Sequence, residues 1–228
     1  MPARSLVHPK KAERPSRNQS LYREVATPLK RGPEMRIRRS SLIALLVLET
    51  IGCSTHIETV KYQPTELTSS SASGQVPVVV GTFVDDRGTN GNWLGAIRGG
   101  YGNPLKKLYT DRPVSEVVEQ AFVDALQTRK LLGNTQNARA EITGQVIKFD
   151  CSYYFNREAH AHLLVNVLSL PSRRVLFSRT YQTDSKESAW GAGIFGSTDE
   201  LTQLAQRTLN ETVDKVLADP EFIAALKG

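Results

Sequence analysis

The chain has 228 residues, a formal net charge of +6 and 7% aromatic residues. The charge is unevenly distributed, because residues 1–52 carry eleven Lys/Arg and four Asp/Glu, whereas residues 53–228 carry 18 and 19. The part after residue 52 is therefore nearly neutral, which removes the electrostatic argument for nucleic-acid binding.

Residues 1–34 are polar, rich in Pro and Arg, and without apolar periodicity. Such a composition cannot bury enough apolar surface to offset the entropy of ordering, so it predicts a disordered extension. Because a secretion signal ordinarily begins at the N-terminus, Met35 is the expected start of the protein. A genuine disordered tail is the alternative.

Residues 35–52 have the pattern of a secretion signal. Three arginines precede an apolar run over Leu42–Leu48, and the small residue Gly52 precedes Cys53. The run is too short for a membrane-spanning helix, which needs about 20 apolar residues. We expect cleavage after Gly52; a cytosolic protein with a buried apolar segment is the alternative.

The junction Thr50-Ile51-Gly52-Cys53 resembles the lipobox of bacterial lipoproteins. That resemblance implies a diacylglyceryl-modified Cys53, although Thr50 stands where a leucine-like residue is usual. An ordinary cleaved signal is the alternative to this lipidation. Acylation of Cys53 would leave Cys151 as a lone thiol, which we expect to be buried on a strand. Residues 53–75 are rich in Ser, Thr, Gly and Pro, which predicts a flexible lipidated tether.

From residue 76 to residue 228 the pattern predicts one α+β domain of order β-α-β-β-β-α, with two helices packed on one face of the sheet. A first strand over Val76–Asp85 is followed by a glycine-rich loop over 86–111 and a helix over Pro113–Leu132. Strands are predicted over 139–154, 158–170 and 174–183. A helix after Ser197 and a short one over 221–227 complete the domain. A parallel first crossover would align the first, second and fourth strands.

Three short motifs contain residue types that can bind a nucleotide, bind a metal or transfer a proton. Residues 191–196 spell G-x-G-x-x-G, but the distance from the preceding strand and the lack of a following strand argue against a nucleotide site. His160 and His162 share one strand face without an evident third metal ligand, so we interpret them as solvent-facing polar residues. The cluster Asp85-Asp86-Arg87 is interpreted as a turn cap or a surface ion pair. No enzyme activity, cofactor, nucleotide or metal is therefore expected.

The strongest candidates for function are two loops that combine glycines with aromatic residues. Large aromatic side chains on glycine-rich loops are typical of recognition surfaces. We therefore predict partner binding through Trp93, Tyr101, Trp190 and Phe195, with the two loops at the same edge of the sheet. The alternative is that both Trp side chains fill the core.

The lipobox-like Cys53, the Ser/Thr-rich tether and the segments VVVGTFVDDR, PVSEVVEQAFVDAL and ITGQVIKF together resemble small envelope lipoproteins of the YajG type. They also resemble auxiliary lipoproteins of ABC-type lipid transport systems and penicillin-binding-protein activator lipoproteins. The resemblance implies a non-enzymatic domain, acylated (palmitate-type) at Cys53 and anchored in the outer membrane facing the periplasm; Ser54 after the Cys favours outer-membrane sorting.

Three functions are compatible with this class. The first is an adaptor or assembly factor that binds another envelope protein through the Gly/Trp loops. The second is an auxiliary subunit of an ABC-type lipid or solute transport system. The third, an envelope hydrolase, would have to bring an acid of the Asp85-Asp86 pair together with His160 or His162.

Overall fold

The computed structural model describes residues 54–64, 77–188 and 195–227. Within these ranges seven strands form one mixed sheet that is accompanied by three helices. The strands are β1 (Ser54–Glu58), β2 (Val78–Asp85), β3 (Trp93–Arg98), β4 (Pro104–Thr110), β5 (Ala140–Tyr153), β6 (Asn156–Ser169) and β7 (Val175–Ser188). The helices are α1 (Val114–Thr128), α2 (Thr198–Ala218) and α3 (Pro220–Lys227). The predicted α+β class is confirmed.

One face of the sheet carries the core, because residues alternate between buried and partly exposed along β5 and β6. Helix α1 packs a continuous apolar stripe against this face, and it is the stripe that its periodicity predicts. The buried members are Val114, Val117, Val118, Ala121, Phe122, Ala125 and Leu126. Helix α2 is capped by Ser197, whose side chain accepts a hydrogen bond from the backbone N–H of Glu200. Among the described residues, no helix combines the length and apolarity needed to cross a bilayer.

The long strand β5 organises the sheet. On one side it pairs with β6, which in turn pairs with β7, and both pairings are antiparallel. On the other side it pairs in parallel with β2 along its first half and with β3 over 151–153. The predicted common direction of the first, second and fourth strands, here β2, β5 and β7, is therefore confirmed.

The predicted loop over 86–111 is wrong, because it contains β3 and β4, which form an antiparallel hairpin. The glycines that suggested a loop have two other roles. Gly95 lies against the backbone of β5, where a Cβ would stand 1.9 Å from the carbonyl oxygen of Cys151. Gly102 adopts a φ of +80° in the β3–β4 turn, a conformation that glycine reaches without strain.

The predicted flexible tether over 53–75 is also wrong for its first part. Residues Ser54–Glu58 form β1, which pairs in parallel with β4 and belongs to the sheet. Thr55 and Ile57 are β-branched and suit a strand, although Ser/Thr content alone suggested a linker. Beyond β1, Val60 and Tyr62 are each only 7% exposed and join the core. The folded domain therefore includes residues before position 76, while residues 65–76 lie outside the described part.

Candidate functional site

Four segments meet at one end of the sheet, which we name the hairpin end. They are the β3–β4 turn (99–103), the β5–β6 turn (154–155), the residues 195–197 that precede α2, and the first residue of β1. The Tyr154 hydroxyl donates a hydrogen bond to the carbonyl oxygen of Gly100 at 2.8 Å. Lys106 Nζ donates to the carbonyl oxygen of Gly196 at 2.8 Å, and Lys106 is also the register partner of Ser54. These contacts hold the four segments next to one another.

The hairpin end displays three large aromatic side chains to solvent. Tyr101 is 102% exposed, Phe195 is 90% exposed and Phe155 is 71% exposed. Phe155 also packs on Tyr154, with ring centroids 4.0 Å apart. Exposed aromatic groups of this size that cluster on one surface are typical of binding sites, because their burial on contact removes a large apolar area from water.

The backbone beneath these side chains is held by cationic side chains. Arg98 donates a hydrogen bond to the carbonyl oxygen of Gly102 at 3.1 Å, which braces the turn that carries Tyr101. The Lys106 bond to Gly196 braces the residue next to Phe195 in the same way. A surface that is ordered before binding loses less conformational entropy on contact.

The four residues predicted for partner binding do not all lie together. Tyr101 and Phe195 belong to the hairpin end, whereas Trp93 stands at the opposite end of β3, about 17 Å away by the length of a six-residue strand. Trp93 is partly buried and packs edge-on against Tyr109, with ring centroids 5.4 Å apart. Trp190 lies outside the described residues, as do Cys53 and Gly52.

Phe155 was missed by the sequence interpretation. It stands in the turn between two predicted strands, where a large apolar residue has no core to enter. That position, in a segment where polar turn residues are usual, is the signal that could have identified it.

Arg87 is not part of a surface ion pair, which corrects one of the two sequence interpretations of the Asp85-Asp86-Arg87 cluster. Its side chain is 4% exposed and pairs with Asp85 through Nε at 2.8 Å. The backbone N–H of Arg87 also donates to the Asp85 carboxylate at 3.2 Å, so the turn-cap interpretation holds. Hydrogen bonds from the guanidinium hold the pKa of Asp85 below its usual value, against the opposing effect of burial.

His160 and His162 lie on one face of β6, as predicted, and they converge on a third residue. Asp184 of β7 is the register partner of His160. Its Oδ1 lies 2.5 Å from His160 Nδ1 and 2.8 Å from His162 Nε2. The third residue was missed because the predicted strand ended at Thr183, one residue too early to place Asp184 opposite His160.

Cys151 is a buried free thiol on β5, which confirms the sequence prediction. Its side chain is 2% exposed, and burial raises the pKa of the thiol far above its ordinary value. Of the G-x-G-x-x-G segment, only Phe195 and Gly196 lie within the described residues, and Gly196 packs close to Ile97 and Tyr153. The expectation that it binds no nucleotide stays a prediction.

No family model matches the chain. A search of curated proteins likewise gives no match. Among solved structures, the chain is similar to a Xanthomonas campestris protein of the family DUF330, with a TM-score of 0.56 at 15% identity, over 74% of this chain and 96% of the other. This likeness shows a shared fold.

Two further similarities are weaker. One is to the PelC dodecamer from Paraburkholderia phytofirmans, at 13% identity and a TM-score of 0.38, over 61% of this chain and 86% of the other. The other is to a lipoprotein from Neisseria meningitidis, at 14% identity and a TM-score of 0.25, over 61% and 99%. At such TM-scores neither similarity carries an argument about this chain.

Proposed function

We propose that this protein is a lipoprotein anchored through Cys53 in the outer membrane and facing the periplasm, where it acts without catalysis as an adaptor for another envelope component. The observation that carries the proposal is the position of the hairpin end. Its three exposed aromatic residues, Tyr101, Phe155 and Phe195, lie at the end of the sheet where β1 begins, and β1 follows Cys53 directly.

Because β1 begins at the residue after Cys53, the anchor limits how far this end of the sheet can lie from the membrane. One peptide unit spans about 3.8 Å, so an acylated Cys53 holds Ser54 close to the bilayer surface. Ser54 pairs with Lys106, which in turn binds the residue next to Phe195. The aromatic surface is thereby held near the membrane, and the partner that fits it is an envelope component exposed at that level.

The anchor is tested first, by fatty-acid labelling and intact mass of the protein expressed in a Gram-negative host. We expect a labelled product that begins at Cys53 and that disappears in the Cys53→Ala variant. An unlabelled product that retains residues 1–52 would refute the lipoprotein proposal and return the chain to the cytosolic alternative.

The binding surface is tested by photo-crosslinking in intact cells, with a benzoylphenylalanine introduced at position 101 or 195. Positions 84 and 175 are matched controls, because Val84 and Val175 are each 57% exposed and lie away from the hairpin end. We expect the same discrete adduct from positions 101 and 195 and none from the controls. Equal labelling at all four positions would contradict a specific surface, and an adduct with a transport-system subunit would select the auxiliary-subunit alternative.

A further inference from the structure

We propose that His160, His162 and Asp184 form a binding site for a divalent transition-metal ion such as Zn²⁺. The site would lie on the face of the sheet that points away from α1 and α2. Both histidines alternate along β6 with buried residues of the core face. Thr183, the neighbour of Asp184, is buried and accepts a hydrogen bond from the Thr212 hydroxyl of α2 at 2.8 Å, so Asp184 points the opposite way. The inference is independent of the lipid anchor.

Strand geometry brings the three side chains to one point. Residues two apart on a strand project from the same face about 7 Å apart, and the register places Asp184 directly across from His160. One ligand atom from each residue lies within 4.8 Å of the other two. His160 presents Nδ1 and His162 presents Nε2, and both nitrogens face the same Asp184 oxygen.

The donor set selects the class of ion. Two imidazole nitrogens and one carboxylate oxygen suit Zn²⁺, Co²⁺, Ni²⁺ and Cu²⁺, whereas Mg²⁺ and Ca²⁺ prefer sites made of oxygen alone. Bonds of about 2.0–2.1 Å in a tetrahedral arrangement place neighbouring ligand atoms about 3.3 Å apart. The observed separations of 2.5 and 2.8 Å would therefore have to widen by less than about 1 Å. Asp184 is 56% exposed and has room to make this movement.

The charged side chains on the neighbouring strand do not oppose a cation at this point. On β5, Asp150 stands opposite His160 and Lys148 stands opposite His162, so these two charges offset each other. Three protein ligands leave a fourth position for water or for a group from another molecule.

The same three residues could instead form a hydrogen-bonded cluster in which two imidazole N–H groups donate to one carboxylate. A titration with Zn²⁺ or Co²⁺ distinguishes the two cases. It uses the tag-free full chain, purified in detergent and freed of metal with a chelator. We expect one Zn²⁺ to bind per chain by calorimetry, and visible absorption bands from bound Co²⁺. His160→Gln and His162→Gln should each weaken Zn²⁺ binding at least about tenfold. His56→Gln, which removes a histidine of β1, should leave it unchanged.

Asp184→Asn separates metal binding from folding, because it keeps the size of the side chain. We expect the metal-free Tm of this variant to stay close to that of the unmodified chain, while the rise in Tm on adding Zn²⁺ is lost. An equal Zn²⁺-induced rise in the two proteins would overturn the site. The site would also be overturned if the unmodified protein and the His160→Gln, His162→Gln double variant had equal affinities for Zn²⁺.

Discussion

Arg87 forms a bidentate ion pair with Asp85, in which Nε lies 2.8 Å from Oδ1 and Nη2 lies 2.9 Å from Oδ2. The same guanidinium donates from Nη1 to the carbonyl oxygens of Trp93 at 2.7 Å and Phe149 at 2.8 Å. One buried side chain therefore ties the end of β2 to the start of β3 and to β5. Strands β2 and β3 each pair with β5 but not with each other. Arg87 therefore supplies a direct link between them and fixes the position of the β3–β4 hairpin.

Replacing Arg87 with methionine should destabilise the protein strongly. The variant keeps the apolar stem but removes the guanidinium that binds Asp85 and the carbonyl oxygens of Gly91, Trp93 and Phe149. Loss of one partner of a buried charge typically costs about 3–5 kcal/mol. Urea unfolding measures the loss. Arg207→Met is the matched control, because Arg207 is 62% exposed and its pair with Glu187 should contribute about 0–1 kcal/mol. Equal effects of the two substitutions would contradict the structural role of Arg87.

The pair should also give stability a specific dependence on pH. The folded-state pKa of Asp85 lies below its unfolded value, which is about 3.9. Its contribution is then present above the unfolded pKa and is lost as the pH falls through the folded pKa. We expect the difference in unfolding free energy between the unmodified chain and Asp85→Asn to shrink on acidification below about pH 4. A difference that stays constant from neutral to acid pH would refute this assignment.

The sequence predicts the long, regular elements because their apolar residues are periodic and their partners are close in the chain. Helix α1 and the β5–β6–β7 meander are of this kind. It does not predict β1 and β4. Their pairing joins segments about 50 residues apart, and the composition of both segments favours loops. Of the three exposed aromatic residues at the hairpin end, the sequence indicated Tyr101 and Phe195 as candidates but not Phe155. The convergence of His160 and His162 on Asp184 was not predicted, because the predicted strand ended one residue before Asp184 and so left out the cross-strand partner of His160.

Gly95 should tolerate no side chain. A Cβ at this position would stand 1.9 Å from the carbonyl oxygen of Cys151 and 2.8 Å from its Sγ, and the carbonyl belongs to the backbone of β5. We expect Gly95→Ala to separate β3 from β5 and to lower the unfolding free energy by about 3 kcal/mol or more. Gly91→Ala is the control, since nothing lies within 4 Å of its added Cβ. A Gly95→Ala protein as stable as the Gly91→Ala protein would show that the two strands do not approach so closely.

Cys151 should be inert in the folded protein. Its side chain is 2% exposed on β5, next to the paired strand β3. Burial keeps the thiol protonated at neutral pH, whereas reaction requires an accessible thiolate. We expect iodoacetamide to modify Cys151 only as fast as the protein opens, so that the rate rises steeply with urea near the unfolding midpoint. Fast modification in native buffer would contradict this burial. The experiment is best made on Cys53→Ala, which removes the other cysteine.

Tyr62 should stabilise the segment that follows β1. Its hydroxyl donates to Asp214 at 2.6 Å and accepts from Arg129 at 3.1 Å, and Arg129 also pairs with Asp214 at 2.7 Å. Tyr62→Phe leaves the Arg129 pair with Asp214 in place, so we expect a loss of about 1–2 kcal/mol in urea unfolding at pH 8. Tyr101→Phe, at a fully exposed position, should have no effect on stability.

The contribution of the Tyr62 hydroxyl should disappear at high pH. Burial, and then the hydrogen bond to Asp214, raises the pKa of Tyr62 to about 12, from an unfolded value of about 10. A raised folded-state pKa gives stability that is complete below the unfolded pKa and lost as the pH rises through the folded pKa. The difference in unfolding free energy between the unmodified chain and Tyr62→Phe should therefore be constant up to about pH 10 and decline towards pH 12. If it stayed constant across that range, the Tyr62 hydroxyl would be no harder to ionise in the folded protein than in the unfolded chain.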